Sequence, residues 1–221
     1  ARGADWNGDG CAEMLIGCEA ADPRAAPGRV YILDGRSTEV RAVITARDQT
    51  HLFGHALALV GDLDGDGVAD WLVGAPAGTR EAQRGYVDLY SGRNQHRLAH
   101  IEGEGAAFGV DVCGLGDCDG DGIADFAVAT PPIVLNTTGQ GRATIYSGRT
   151  REPLHEFQND VAGVWFGACL ANVGDADGDG VPDLVVAGNF GNAPGLACLY
   201  SGRTGRLLHS WRDETTASGY G

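Results

Sequence analysis

An all-β chain, made of β-propeller blades of four antiparallel strands each, is what this 221-residue sequence predicts, on three observations. An acidic loop occurs four times, starting at residues 5, 62, 117 and 175, so the spacings are 57, 55 and 58. A second marker keeps step with it: the turns Asp34-Gly35-Arg36, Ser91-Gly92-Arg93, Ser147-Gly148-Arg149 and Ser201-Gly202-Arg203 are spaced 57, 56 and 54. Short apolar runs lie between these markers, four to a unit. A unit of about 55 residues with four short strands cannot bury its faces alone, and must stack on its neighbours as a propeller blade does.

The second unit illustrates the elements. Its first strand is expected near His55–Val60, before the acidic loop, and its second at Asp70–Val73, apolar on both faces as a buried strand should be. The third is expected at Tyr86–Tyr90 and the fourth near Arg97–Ile101. Ile44, Ile101, Phe157 and Trp211 each stand ten residues past the start of the Asp/Ser-Gly-Arg turn, and such repetition predicts core positions. A third marker, Phe53-Gly54, Phe108-Gly109, Phe166-Gly167 and Tyr220-Gly221, recurs as well. Its first three glycines lie eight residues before a loop. The 36 glycines therefore signal repeat architecture rather than disorder.

The loops carry the chemistry. They supply oxygen at positions 1, 3, 5 and 9: Asp62, Asp64, Asp66 and Asp70; Asp117, Asp119, Asp121 and Asp125; Asp175, Asp177, Asp179 and Asp183; and, in a looser copy, Asp5, Asn7, Asp9 and Glu13. Position 7 offers a backbone carbonyl, from Cys11, Val68, Ile123 or Val181. Six to eight oxygens at roughly 2.3–2.6 Å suit calcium, whereas magnesium demands a smaller and stricter octahedron. Glycine at position 6 is expected to permit a turn that a side chain would obstruct. Zinc would need more His or Cys at ligand spacing. An EF-hand would need an acidic residue at position 12 between helices, but Ile16, Val73, Val128 and Val186 stand there, among strand-like segments. One Asp/Gly loop is an ordinary turn. Four copies, each packing carboxylates that repel one another, predict up to four bound Ca²⁺. The first loop, with Asn7, Glu13 and the bulk of Trp6, should be the least like the others.

Composition agrees. The net charge is −14, and half of the 30 acidic residues lie in the four loops, so four divalent ions would offset eight of those charges. Without cations the chain should be strained by its own charge. An acidic chain without a basic run argues against nucleic acid. No apolar stretch reaches membrane-spanning length, so this segment is not expected to insert in a membrane. The six cysteines occupy no repeated position and should mostly be small buried fillers, although an even count permits disulfides and Cys113–Cys118 is one local possibility.

The units resemble FG-GAP repeats, the family that builds the integrin α-subunit β-propeller. Phe53-Gly54 gives the FG, Val73-Gly74-Ala75-Pro76 the GAP, and the acidic loop between them matches the family's D-x-D-G-D-G-x-x-D. The resemblance covers essentially the whole chain, as units of approximately 1–52, 53–107, 108–165 and 166–221, the first without its first strand. The GAP position departs in the other units: Ile16-Gly17-Cys18-Glu19, Val128-Ala129-Thr130-Pro131 and Ala187-Gly188-Asn189-Phe190. Spacing and turns resemble those of secreted and surface proteins of bacteria. Family propellers usually have seven blades, so the resemblance implies a segment of a longer array, with a compact four-bladed ring as the alternative.

Successive connections in an antiparallel blade alternate between its two ends. The acidic loop (strands one to two) and the Gly-Arg turn (strands three to four) should share one face. The other should carry Cys18–Pro27, Pro76–Arg84, Pro131–Gln140 and Asn189–Pro194, with Ala46–His51, Gly103–Ala107, Asn159–Val164 and Asp213–Ser218. Those segments vary while the frame repeats, as recognition loops do. In integrins the calcium loops are structural and the opposite face binds ligand; the resemblance implies the same division here. The expected function is a non-catalytic, calcium-binding module for extracellular protein or glycan recognition or adhesion, with an accessory propeller of a secreted enzyme as the alternative. For catalysis there is no G-x-S-x-G and no Ser/His/Asp constellation. His155 and His209, at equivalent positions, read as half-buried strand residues, and His96 and His100 on a strand do not make a helical metal pair. His51 and His55, flanking Phe53-Gly54, are the remaining weak candidates. Arg36, Arg93, Arg149 and Arg203 read as loop-capping or blade-to-blade ion pairs.

Overall fold

The computed structural model describes residues 4–20, 26–47, 49, 51–78, 84–132, 141–159, 165–188 and 195–212. Among these, fifteen strands form four antiparallel sheets. The first sheet holds β1 (Met14–Cys18), β2 (Arg29–Leu33) and β3 (Val40–Thr45); the second, β4 (Ala56–Gly61), β5 (Asp70–Ala75), β6 (Tyr86–Tyr90) and β7 (Arg97–Glu102). The third holds β8 (Val112–Gly114), β9 (Phe126–Thr130), β10 (Arg142–Tyr146) and β11 (Pro153–Gln158); the fourth, β12 (Cys169–Asn172), β13 (Leu184–Gly188), β14 (Leu196–Tyr200) and β15 (Leu207–Arg212). In every sheet the strands lie side by side in chain order, and no described helix is long and apolar enough to cross a membrane. The expected strands of the second unit match β4–β7 to within two residues at each end. Of the segments expected opposite the acidic loops, residues 21–25, 48, 50, 79–83, 133–140, 160–164, 189–194 and 213–218 lie outside the described residues, as does the Tyr220-Gly221 marker.

The chain divides into two compact units, Ala1–Val112 and Cys113–Gly221. Each is built by strand alternation. Along β2, Val30 and Ile32 point to the second sheet, while Tyr31 points away. Together with Leu15 they meet Phe53, Trp71, Val73, Tyr86 and Tyr90 in one buried cluster. In the other unit Ala127, Ala129, Ala143, Ile145 and Phe157 meet Leu184, Val186, Leu196 and Tyr200. A fully buried side chain of the Leu72 or Phe126 kind contributes roughly 1.5–3 kcal/mol. Trp211 corrects the expectation of a uniform core position: it is 43% exposed. It pairs with Ala197, on the face of the fourth sheet opposite Leu196, Cys198 and Tyr200, the face that packs on the third sheet.

The Phe-Gly marker docks backward, onto the preceding sheet. A Cβ on Gly17 would lie 1.9 Å from the Gly54 carbonyl oxygen, and one on Gly28 2.2 Å from that of Phe53. One unit along, Gly74 meets the Gly109 oxygen and Gly85 that of Phe108, each at 2.1 Å. The glycine of the GAP motif is thus a seat for another stretch of backbone. The third sheet has Ala129 at the seat, and the atoms nearest Gly167 all belong to Arg142 instead.

The hairpins between strands three and four share one geometry. Each carries a bulge, before Leu33, Tyr90, Tyr146 and Tyr200. Each also places a left-handed residue four positions after the turn begins: Thr38, Gln95, Arg151 and Gly205.

Candidate metal centres

Each acidic loop is organised by its first carboxylate. Asp62 Oδ1 accepts from the N–H groups of Gly65 (2.7 Å) and Asp66 (3.1 Å), and its Oδ2 from Gly67 (2.8 Å). Asp5, Asp117 and Asp175 do the same in their loops. Position 3 accepts from the N–H of position 5, and position 5 from that of position 7. The glycines at positions 4 and 6 all have φ between +77° and +88°, and a Cβ on any of them would meet nothing within 4 Å. Obstruction by a side chain, the reason expected from the sequence at position 6, is therefore not the cause; the left-handed backbone is.

The ninth position is buried and joins two hairpins. Asp70, Asp125 and Asp183 are fully inaccessible. Their Oδ2 accepts from position 2 of the same loop (Leu63 2.7 Å, Cys118 2.7 Å, Ala176 2.8 Å). Their Oδ1 accepts from the glycine of the Gly-Arg turn (Gly92 2.9 Å, Gly148 2.7 Å, Gly202 3.1 Å). Loop and turn do share one end of the sheet. The arginine of that turn completes the tie: Arg93 gives Nε to Asp66 Oδ2 (3.0 Å) and Nη2 to the Asp66 carbonyl (2.5 Å). Arg149 does likewise on Asp121 at 2.8 and 2.7 Å, as does Arg36 on Asp9; Arg203 donates Nη2 to the Asp179 carbonyl (3.0 Å) and pairs its Nε with Asp179 Oδ2 at 3.3 Å. Of the two roles expected for these arginines, loop capping is the one they play. The backbone donors oppose part of the repulsion expected in the ion-free loops, while the exposed guanidinium groups are largely screened by solvent.

Three groups of carboxylates bring one oxygen each within 4.8 Å of one another: Asp62, Asp64 and Asp66; Asp117, Asp119 and Asp125; Asp175, Asp177 and Asp183. The donor set is hard oxygen throughout, which fits calcium or another hard cation. Electrostatics differ within a loop. Burial, only partly offset by N–H donors, raises Asp70 and Asp125 above the usual carboxylate range. Burial pushes Asp62 and Asp117 up too, but three or more loop hydrogen bonds outweigh it and hold them below that range. The Gly10 N–H foremost lowers Asp5.

The first loop differs, as expected, but not through Trp6. The indole leaves the loop altogether and donates Nε1 to the Ala69 carbonyl of the second loop (2.8 Å), against Gly92. What changes the site is that Arg41 binds Glu13 Oε1 (3.0 Å), while Asn7 Nδ2 donates to Asp34 Oδ2 (2.9 Å). Cys118 uses position 2 of the third loop similarly, its sulfur lying 3.4 Å from where a Cβ on Gly202 would stand.

The remaining candidates have ordinary partners. His51 Nε2 meets the Arg84 carbonyl, His55 pairs with Glu19, and His155 Nε2 meets the Arg203 carbonyl. His100 lies 2.6 Å from the buried Asp88, which Arg97 also contacts. This charged cluster was not legible in the sequence. None of the six cysteines forms a disulfide, and only Cys118 and Cys198 are buried, so most are not the fillers expected. Burial raises the Cys118 thiol to about 12.

A family model described as FG-GAP repeat matches residues 53–90. Integrin alpha-4 of Xenopus laevis is 31% identical over 175 residues, covering 72% of this chain and 17% of that protein. Integrin alpha-8 of Mus musculus is 30% identical over 222 residues, covering 90% and 20%. Integrin alpha-PS2 of Drosophila melanogaster is 31% identical over 208 residues, covering 82% and 14%. The chain thus spans a fifth or less of the length of these relatives. Among solved structures, the Dos1 propeller superposes with a TM-score of 0.56 at 10% identity, covering 92% of this chain and 45% of that one. Kuenenia stuttgartiensis hydrazine synthase gives 0.55 at 13% identity, covering 84% and 43%. At such identities these two show the fold alone, that of a β-propeller.

Proposed function

Because the chain belongs to the FG-GAP repeat, integrin α-like β-propellers, we propose that it is a non-catalytic recognition or adhesion module of an extracellular or cell-surface protein, stiffened by calcium. The observation that carries the reading is a carboxylate triad in each of three loops whose ninth-position aspartate is buried every time, the aspartate itself joining the triad in the third and fourth loops. Asp62, Asp64, Asp66 and Asp70, with their counterparts in the third and fourth loops, would hold the ion, joined by the carbonyls of Val68, Ile123 and Val181. Bound calcium supplies positive charge at the centre of each cage. The first loop, with Arg41 on Glu13, would take a fourth ion more weakly.

The opposite ends of the sheets, where the connections vary, would meet a protein or glycan ligand. Dissociation constants for calcium of about 10⁻⁴–10⁻³ M are typical of extracellular modules and suit a calcium-rich exterior. Thermal unfolding in calcium, in magnesium and in chelator tests the proposal. A large upward shift specific to calcium is expected; identical curves in all three would sink it.

The shift should also depend on pH. Asp70 and Asp125, raised in the ion-free fold, take up protons there before they do in the unfolded chain, so the cost of their buried charge fades as pH falls through the folded pKa. Asp62 and Asp117, depressed, contribute stability that is present above the unfolded pKa and lost as pH falls through the folded one. Calcium needs all four ionised. Acid therefore competes first at Asp70 and Asp125, and the calcium-dependent gain in Tm should begin to shrink above the usual carboxylate range as the pH is lowered from neutral. A gain that stays constant from neutral pH down to that range would contradict the role of the buried pair.

A further inference from the structure

Given that reading of the loops as calcium cages, we propose that Arg93, and with it Arg36, Arg149 and Arg203, is a positioning residue of the cation site, setting affinity by holding the fifth-position aspartate ready before the ion arrives. The arginine stands on a different hairpin from the loop, 24 to 28 residues from its partner. Even so, it makes the same two-point contact four times, on one carboxylate oxygen and on the backbone carbonyl of the same aspartate. The fork fixes side chain and backbone together. It uses Oδ2 and leaves Oδ1, which accepts from the seventh-position N–H, on the other side of the carboxylate.

Two effects oppose each other. A guanidinium near a dication repels it, which would weaken binding. The four arginine side chains are 52 to 63% exposed, however, while the aspartates they hold are only 22 to 29% exposed. Solvent and salt screen the repulsion. The clamp acts where the chain has less freedom, and groups behind a metal's direct ligands commonly change affinity by about tenfold or more. A planar fork is also something that lysine cannot reproduce with one ammonium.

The test is terbium binding to the full chain, followed by tryptophan-sensitised luminescence and reversed with calcium. Trp71 adjoins Asp70, and Trp6 reaches Ala69, so the second loop has two sensitisers. Arg93→Gln and Arg93→Lys should both weaken calcium competition at this loop by about tenfold, with little change in Tm in chelator. If lysine restores wild-type affinity, charge rather than the fork matters and the proposal fails. Tighter binding in Arg93→Gln means that repulsion wins, and it fails again. Variants that bind normally but melt earlier in chelator reduce the arginine to a structural cap. A wild-type chain that binds neither ion overturns the cage reading, and this inference with it.

Discussion

Replacing Asp125 with alanine should destabilise the chain by about 3 kcal/mol even in chelator, where no ion is at stake. The carboxylate is fully buried and accepts one hydrogen bond from Cys118 in its own loop and one from Gly148 in the Gly-Arg turn, both at 2.7 Å. A hydrogen bond to a charged group contributes about 1.5–3 kcal/mol, and each stranded N–H costs about 1–3 kcal/mol. Against this stands the release of a buried charge, which burial already disfavours. The two lost bonds outweigh it because they bind separate hairpins. Asparagine is no rescue, since its amide would turn a donor toward one of the two N–H groups. Asp119→Ala is the control. Asp119 is exposed, so its loss should leave the melt in chelator nearly unchanged while removing most of one site's calcium response. Urea titrations of both variants, with and without calcium, check this. Equal stability of the two in chelator would show that the ninth position is only a ligand.

Gly74→Ala should cost about 3 kcal/mol or more, by forcing backbone apart. The new methyl would stand 2.1 Å from the Gly109 carbonyl oxygen, and its nearest neighbours also include the Gly109 carbonyl carbon at 3.1 Å. Backbone of this kind has no rotamer to escape into. Gly109 itself has φ +85°, so the docked turn cannot readily be reshaped around a larger neighbour. Ala129 shows that the seat is not universal: Gly17 and Gly74 are among the closest neighbours of Gly54 and Gly109, whereas Ala129 is not among those of Gly167, which all belong to Arg142. Ala129→Gly should therefore bring no comparable gain, beyond the usual cost of glycine in a strand. Thermal melts of the two variants measure the difference. A Gly74→Ala chain with wild-type Tm would mean that the Phe-Gly turn is not locked to the sheet.

Strands were legible because apolar runs and turns alternate on a fixed period. Tyr86–Tyr90 is such a case, and its ends fall where the flanking Gly85 and Ser91 put them. Ligand spacing was equally legible, since carboxylates at alternate positions of a glycine turn leave little else to infer. Partnerships between distant segments were not. Nothing near Asp70 announces that its second oxygen belongs to Gly92, and the four turn arginines were ambiguous until their forks met the fifth-position carbonyls. Trp6 was misread for the same reason: bulk is visible in a sequence, but direction is not, and the indole points to the next loop. Asp88, His100 and Arg97 come together only through the pairing of β6 with β7. Trp211 obeys the repeat yet is exposed, because burial depends on which face meets a neighbour as well as on register.

Native mass spectrometry of the chain, stripped of metal and returned to millimolar calcium, addresses the central claim most directly. Three calcium ions, lost one at a time in Asp64→Ala, Asp119→Ala and Asp177→Ala, are predicted, with a weaker fourth from the loop of Glu13. A chain that keeps its folded charge distribution and carries no calcium would contradict the account.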